Sequence, residues 1–144
     1  MQIFRDVRLL QKSLGPLPQP VRKPFLIVLS GLPGTGKSYF SRELARRMPL
    51  VILESDALRK VLFPSPKYTW QESARLFETC YRLIDWLLKE RISLILDSTN
   101  LYERHRRQLK RIAKENQAGF ILVKLEAPSE VARERLAARM RDPS

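Results

Sequence analysis

A single cysteine, Cys80, stands in 144 residues, so no internal disulfide can form and nothing points to an oxidising compartment. No apolar stretch approaches the roughly 20 residues that a membrane span requires, and Met1 to Leu10 lacks a signal-peptide pattern. Both absences lead to the expectation of a soluble, cytoplasmic protein without membrane contact. The one histidine, His105, has no His or Cys partner at metal-ligand spacing and falls near the buried side of a helical pattern, as a packed or half-exposed residue. No N-K-x-D run occurs, which removes the guanine-specifying element of a GTPase. Acidic side chains are scarce too: Asp and Glu number 15 against 27 Lys and Arg, for a net charge of +12 and a pI near 10.4. That field attracts ATP and equally a phosphorylated or nucleic-acid substrate, while a helix-rich surface of solvated arginines has the same composition.

What is present starts with Gly31-Leu32-Pro33-Gly34-Thr35-Gly36-Lys37-Ser38, a complete match to the phosphate-binding loop pattern G-x-x-x-x-G-K-[ST]. Its context fits as well. Phe25 to Ser30 is a short apolar run of strand character, and Tyr39 to Met48 continues as an amphipathic helix with Phe40, Leu44, Ala45 and Met48 on one stripe. Glycines let backbone N–H groups turn inward around a polyphosphate, and the helix N-terminus adds its positive end. The loop together with Tyr39 is the expected ATP-binding set; Lys37 reaches the β- and γ-phosphates and the Ser38 hydroxyl can ligate Mg²⁺.

At this length one domain with one core is expected. Ile3 to Leu14 reads as a short helix, and Gly15 to Pro24, rich in proline, as a semi-rigid linker. Residues 1–24 are thus a leader, docked or mobile, and the nucleotide-binding domain is 25–144. There, strand 25–30 leads to helix 37–48, strand 50–53, a short helix from Asp56 to before Phe63, helix 70–90, strand 92–96, helix 102–116, strand 120–125 and helix 129–140. Thr69 with Glu72 three residues on resembles a capping box for helix 70–90. Leu76, Cys80, Leu83, Ile84 and Leu87 form that helix's apolar stripe, which makes Cys80 a core residue. The β-α alternation predicts an α/β fold: a parallel sheet covered by helices on both faces, with right-handed crossovers.

In such a sheet, ligands gather beyond the carboxyl ends of the strands. Asp56 follows the second strand, on the rim expected for the phosphate loop, where a carboxylate can take the proton of an attacking hydroxyl. Arg59, one turn later, can hold an acceptor phosphate or the transferring group. The alternative is a helix N-cap followed by a surface arginine. Asp97 ends the apolar strand Ser93-Leu94-Ile95-Leu96, where it can hold Mg²⁺ directly, bind a metal-bound water or hydrogen-bond Ser38. Thr99 and Asn100 can orient the acceptor or fix the loop. Phe63, Tyr68 and Trp70 can stack on a base or plug the core. The basic residues of helix 102–116 spread as a solvated face more than as a focused groove.

The phosphate loop, Asp56-Ala57-Leu58-Arg59 after strand two and Asp97-Ser98-Thr99-Asn100 after strand three together resemble the P-loop kinases of the polynucleotide 5′-hydroxyl kinase type, with related zeta-toxin-like and small-molecule kinases. The likeness runs from about Phe25 to the end. It implies a three-layer α/β/α P-loop NTPase fold with strand order 2-3-1-4, and γ-phosphoryl transfer from ATP to a hydroxyl. The acceptor would be a nucleic-acid end or a small metabolite. It further implies Asp56 as general base, Arg59 on the acceptor side, and lid arginines after the fourth strand, which Arg135 and Arg139 match best by sharing a helical face. Family members usually continue into a last strand, so the chain's stop at Ser144 leads to the expectation of a C-terminally incomplete domain.

Overall fold

The computed structural model describes residues 2–32, 36–98, 101–126 and 138. Its elements run α1 (Gln2–Ser13), β1 (Phe25–Ser30), α2 (Lys37–Arg47), β2 (Leu50–Glu54), α3 (Ser55–Leu62), α4 (Trp70–Lys89), β3 (Ser93–Asp97), α5 (Glu103–Glu115) and β4 (Gly119–Lys124). Among the described residues the four strands form one parallel sheet in the order β2-β3-β1-β4, as the motif resemblance implies. The expected helix 129–140, apart from Ala138, lies outside the described residues, and so do its Arg135 and Arg139.

The central strands β1 and β3 read as continuous apolar runs because both their faces are covered. Side chains alternate across the sheet. Leu26, Val28, Val51, Leu53, Leu94 and Leu96 face α3, α4 and α5, while Ile27, Leu29, Leu50 and Ile95 face Phe40, Leu44 and Ala45 of α2. Met48 departs from the expected α2 stripe. It is the C-cap in extended conformation, because the following Pro49 disfavours helical backbone at the residue before it.

The leader helix α1 is docked, through its buried Asp6 and Leu10. Leu10 is fully buried in the larger core, and burying a leucine contributes about 1.5–3 kcal/mol. Asp6 accepts two hydrogen bonds from Arg75 of α4, at 2.7 and 2.8 Å, a bidentate geometry in which Asp6 is almost completely enclosed. The linker after it is tied down by the Val21 N–H, which donates to the Arg91 carbonyl at 2.9 Å.

On α4 the expected stripe is buried throughout, Cys80 included. Burial pushes the Cys80 thiol up to about 12, so little nucleophilic thiolate exists at neutral pH. Iodoacetamide at pH 8 is therefore expected to leave the folded chain unmodified and to add one carbamidomethyl group after denaturation, read by intact mass. Rapid labelling of the folded chain would show α4 to be loosely packed. No helix among the described residues is long and apolar enough to cross a membrane.

Candidate active site

The strands finish level with one another at their carboxyl ends: Glu54 pairs with Asp97, Asp97 with Leu29, and Ser30 with Lys124. The phosphate-loop sequence leaves this rim from β1. Its Pro33, Gly34 and Thr35 lie outside the described residues, as do Thr99 and Asn100 after β3. Gly36 closes the loop with φ of 90°, a left-handed conformation that a Cβ would disfavour. Its carbonyl accepts the Phe40 N–H at 2.9 Å, so the first turn of α2 is anchored there. Among the described residues no side chain caps this helix, and its first turn carries no acidic residue, which leaves its leading amides to an anion. Gly31 and Ser38 are half-buried, whereas Leu32 and Tyr39 are exposed.

Because β3 lies beside β1, Asp97 sits next to the loop. The Lys37 Nζ is 3.1 Å from Asp97 Oδ1, with the side chains only 10 % and 8 % exposed. Sequence reasoning placed both residues at the site but did not pair them. Removing one partner from so enclosed a pair costs about 3–5 kcal/mol.

Across the rim, a cavity of about 540 Å³ opens between the N-terminal turns of α3, α4 and α5. Asp56 lines it from the first turn of α3. The cap alternative is overturned there: the N-cap is Glu54, two residues earlier, and Asp56 is exposed without a capping hydrogen bond. The Ser55 and Ser98 hydroxyls, 3.3 Å apart, tie the ends of β2 and β3 together at the cavity.

Arg59 is neither a surface arginine nor a free cation. Nη1 donates to Glu72 Oε1 at 2.8 Å, Nη2 donates to Ser73 Oγ at 3.1 Å, and the Tyr68 ring lies over the guanidinium at 4.8 Å. Its Nε is sealed without a partner. Glu72 does more than the expected capping box. Its N–H donates to Thr69 Oγ1 at 3.1 Å, but its carboxylate reaches past Thr69 to accept the N–H groups of Lys67 and Tyr68, at 2.8 and 3.3 Å. Burial alone would raise Glu72, yet those amides and Arg59 hold its carboxyl below the ordinary value. Tyr68 is thereby kept at φ 56°, a strained conformation for a bulky residue. It lines the cavity, as does Trp70, and both are largely exposed. Phe63 does not join them; it packs against the core with Arg75 over its ring at 5.1 Å.

The third wall was missed from sequence. Tyr102, Arg104 and His105 line the cavity from the start of α5. The signal for them was positional, since a helix entering from the carboxyl end of β3 must begin on this rim. His105 is buried, as its helical phase suggested. The remaining basic residues of α5 are exposed or half-exposed, in keeping with a solvated face.

The AAA_33 family model, described as an AAA domain, matches residues 26–144. Among curated proteins, L-seryl-tRNA(Sec) kinase of Methanococcus maripaludis is 37 % identical over 108 residues, covering 72 % of this chain and 41 % of that protein. Adenylyl-sulfate kinase of Myxococcus xanthus is 28 % identical over 111 residues, covering 74 % of this chain and 60 % of that protein. The chain thus spans two fifths of one relative and three fifths of the other. A chain of the Pnkp1/Rnl/Hen1 RNA repair complex superposes with a TM-score of 0.72 at 25 % identity, over 88 % of this chain and 40 % of that one.

Proposed function

The chain belongs to the AAA_33 family of P-loop kinase domains, and from that membership we propose that it transfers the γ-phosphoryl group of ATP to a hydroxyl carried on an RNA. The observation that carries this reading is the pairing of Lys37 with Asp97 at the phosphate loop, on the same rim as a cavity lined by Asp56. One half of the rim suits a donor and the other an acceptor.

On the donor side, the α2 amides and Lys37 hold the polyphosphate, and Lys37 exchanges part of its contact with Asp97 for the phosphate oxygens. Ser38 and Asp97 offer hard oxygen ligands, a donor set that fits Mg²⁺ bound with a nucleotide. When bound there, the ion would neutralise charge on the β- and γ-phosphates. On the acceptor side, Asp56 takes the proton of the attacking hydroxyl. Thr99 and Asn100, which follow β3 in sequence, orient the acceptor, and Arg135 and Arg139 steady the transferring group as a lid closes. Arg59 acts on the acceptor from the wall of the cavity, through Tyr68 and Ser73.

An RNA-borne hydroxyl is favoured by the +12 charge and by the exposed Tyr68 and Trp70 on the cavity, whose faces suit base stacking. Two similar proteins, by their names, work on a tRNA or within an RNA repair complex. The likeness to adenylyl-sulfate kinase supports a second reading, a small sulfated nucleotide as acceptor. Incubation with γ-labelled ATP and, separately, 5′-hydroxyl RNA, seryl-tRNA and adenylyl sulfate is expected to label an RNA. Label only on adenylyl sulfate selects the second reading, and label on none leaves a nucleotide-binding module.

A further inference from the structure

One wall of the cavity is built around the chain's single histidine. The His105 ring is 8 % exposed and lies on Phe77, with centroids 4.0 Å apart and planes 14° from parallel. Its Nδ1 meets the Tyr81 hydroxyl. Phe77 lines the cavity and Tyr81 does not, so the polar atom left for the cavity is Nε2. Nε2 has no partner among the described residues. It is not sealed either, since Arg59 Nε is the one side-chain polar atom among them that is both sealed and unpartnered.

Elementary acidity places the proton. A phenol is a stronger acid than a neutral imidazole N–H, and an imidazole nitrogen is a better acceptor than a phenol oxygen, so the Tyr81 O–H donates to Nδ1. Burial pushes Tyr81 up to about 12. Burial and the neighbouring Arg104 charge push His105 down. At neutral pH both rings are uncharged, and an imidazole whose Nδ1 accepts carries its hydrogen on Nε2.

We propose that His105 is a substrate-binding residue of this cavity, its Nε2–H donating a hydrogen bond to an oxygen of the molecule that Asp56 deprotonates. The inference rests on the reading of the cavity as the acceptor site. An uncharged donor with a fixed tautomer selects by geometry: an acceptor whose oxygen falls beside it is aligned on Asp56, and one without that oxygen leaves it unpaired.

Being the only histidine, His105 supplies the only imidazole signals in a long-range ¹H–¹⁵N spectrum of the full chain. The free protein is expected to show the Nε2-protonated pattern. Titration with a 5′-hydroxyl RNA hexamer, and in a second sample with adenylyl sulfate, is expected to shift the ring signals saturably with at least one of the two. His105→Phe keeps the stack on Phe77 and is expected to raise the acceptor KM about tenfold, with a smaller change in kcat and none in the KM for ATP. Tyr81→Phe frees Nδ1, mixing the tautomers and raising the acceptor KM less. Ring signals stationary in both titrations overturn the proposal, as does a folded His105→Phe with unchanged acceptor KM. If His105→Phe fails to fold, the wild-type titrations decide. A shift without label transfer removes the kinase reading and leaves the His105 contact standing; transfer without a shift does the reverse.

Discussion

Asp56→Asn is expected to leave ATP binding within about twofold and to slow phosphoryl transfer by about two orders of magnitude or more, the scale of a lost general base. The substitution keeps the size of the side chain and alters only its capacity to take a proton. Asp56 stands exposed in the first turn of α3, caps nothing and lines the cavity. A structural role therefore predicts almost no effect. Single-turnover transfer from γ-labelled ATP, beside an equilibrium measurement of ATP affinity, separates the two cases. Unimpaired transfer would make Asp56 a solvated first-turn acid and take the base out of the mechanism.

Glu72→Ala is expected to lower the melting temperature on the order of 10 °C, because it strands an enclosed arginine. The same change releases the N–H groups of Lys67 and Tyr68, so Tyr68 loses what holds it at positive φ. Loss of acceptor binding should accompany the loss of stability, since Tyr68 lines the cavity. The paired replacement Arg59→Met with Glu72→Leu removes both charges and should recover part of the melting temperature, but not the acceptor affinity. A pH series adds a signature. Since the folded Glu72 carboxyl is held below its ordinary 4.5, its contribution is complete above that value and is lost as pH falls through the lower, folded one. That acid-side loss should be absent in Glu72→Ala. Unchanged melting in the single variant would show the ion pair to be incidental.

The parts of the fold written in local pattern were legible before any coordinates. The apolar runs, the Pro49 stop and the α4 stripe lead to a parallel sheet, and the resemblance carried by the three ordered motifs implies the strand order observed. What stayed hidden depends on contacts distant in sequence. Nothing near Asp6 announces that it will meet Arg75, so the sequence left α1 docked or mobile, and the contact with α4 selects the docked case. Glu72 was recognised as a cap, a role its three-residue spacing from Thr69 specifies. Its grip on Arg59 arises only when α3 and α4 pack together. For the same reason Arg59 was read as pointing at a ligand: an arginine one turn after an aspartate looks free until its partner is folded beside it. His105 was placed on the buried side correctly, but helical phase cannot tell a core from the wall of a cavity.

The strand order also sets a timetable for biosynthesis. β1 is the apolar Phe25–Ser30, and its two register partners begin only at Leu94 and Gly119. At roughly 5–20 residues per second of translation, β1 spends several seconds outside the ribosome without either neighbour. During that wait its unpaired backbone and apolar side chains are a template for association with other chains. The phosphate loop hangs from the end of this same strand. Nascent chains halted before β3 should therefore be the aggregation-prone ones and the ones most in need of a chaperone, and competence to hold a nucleotide should appear abruptly once β3 has been made.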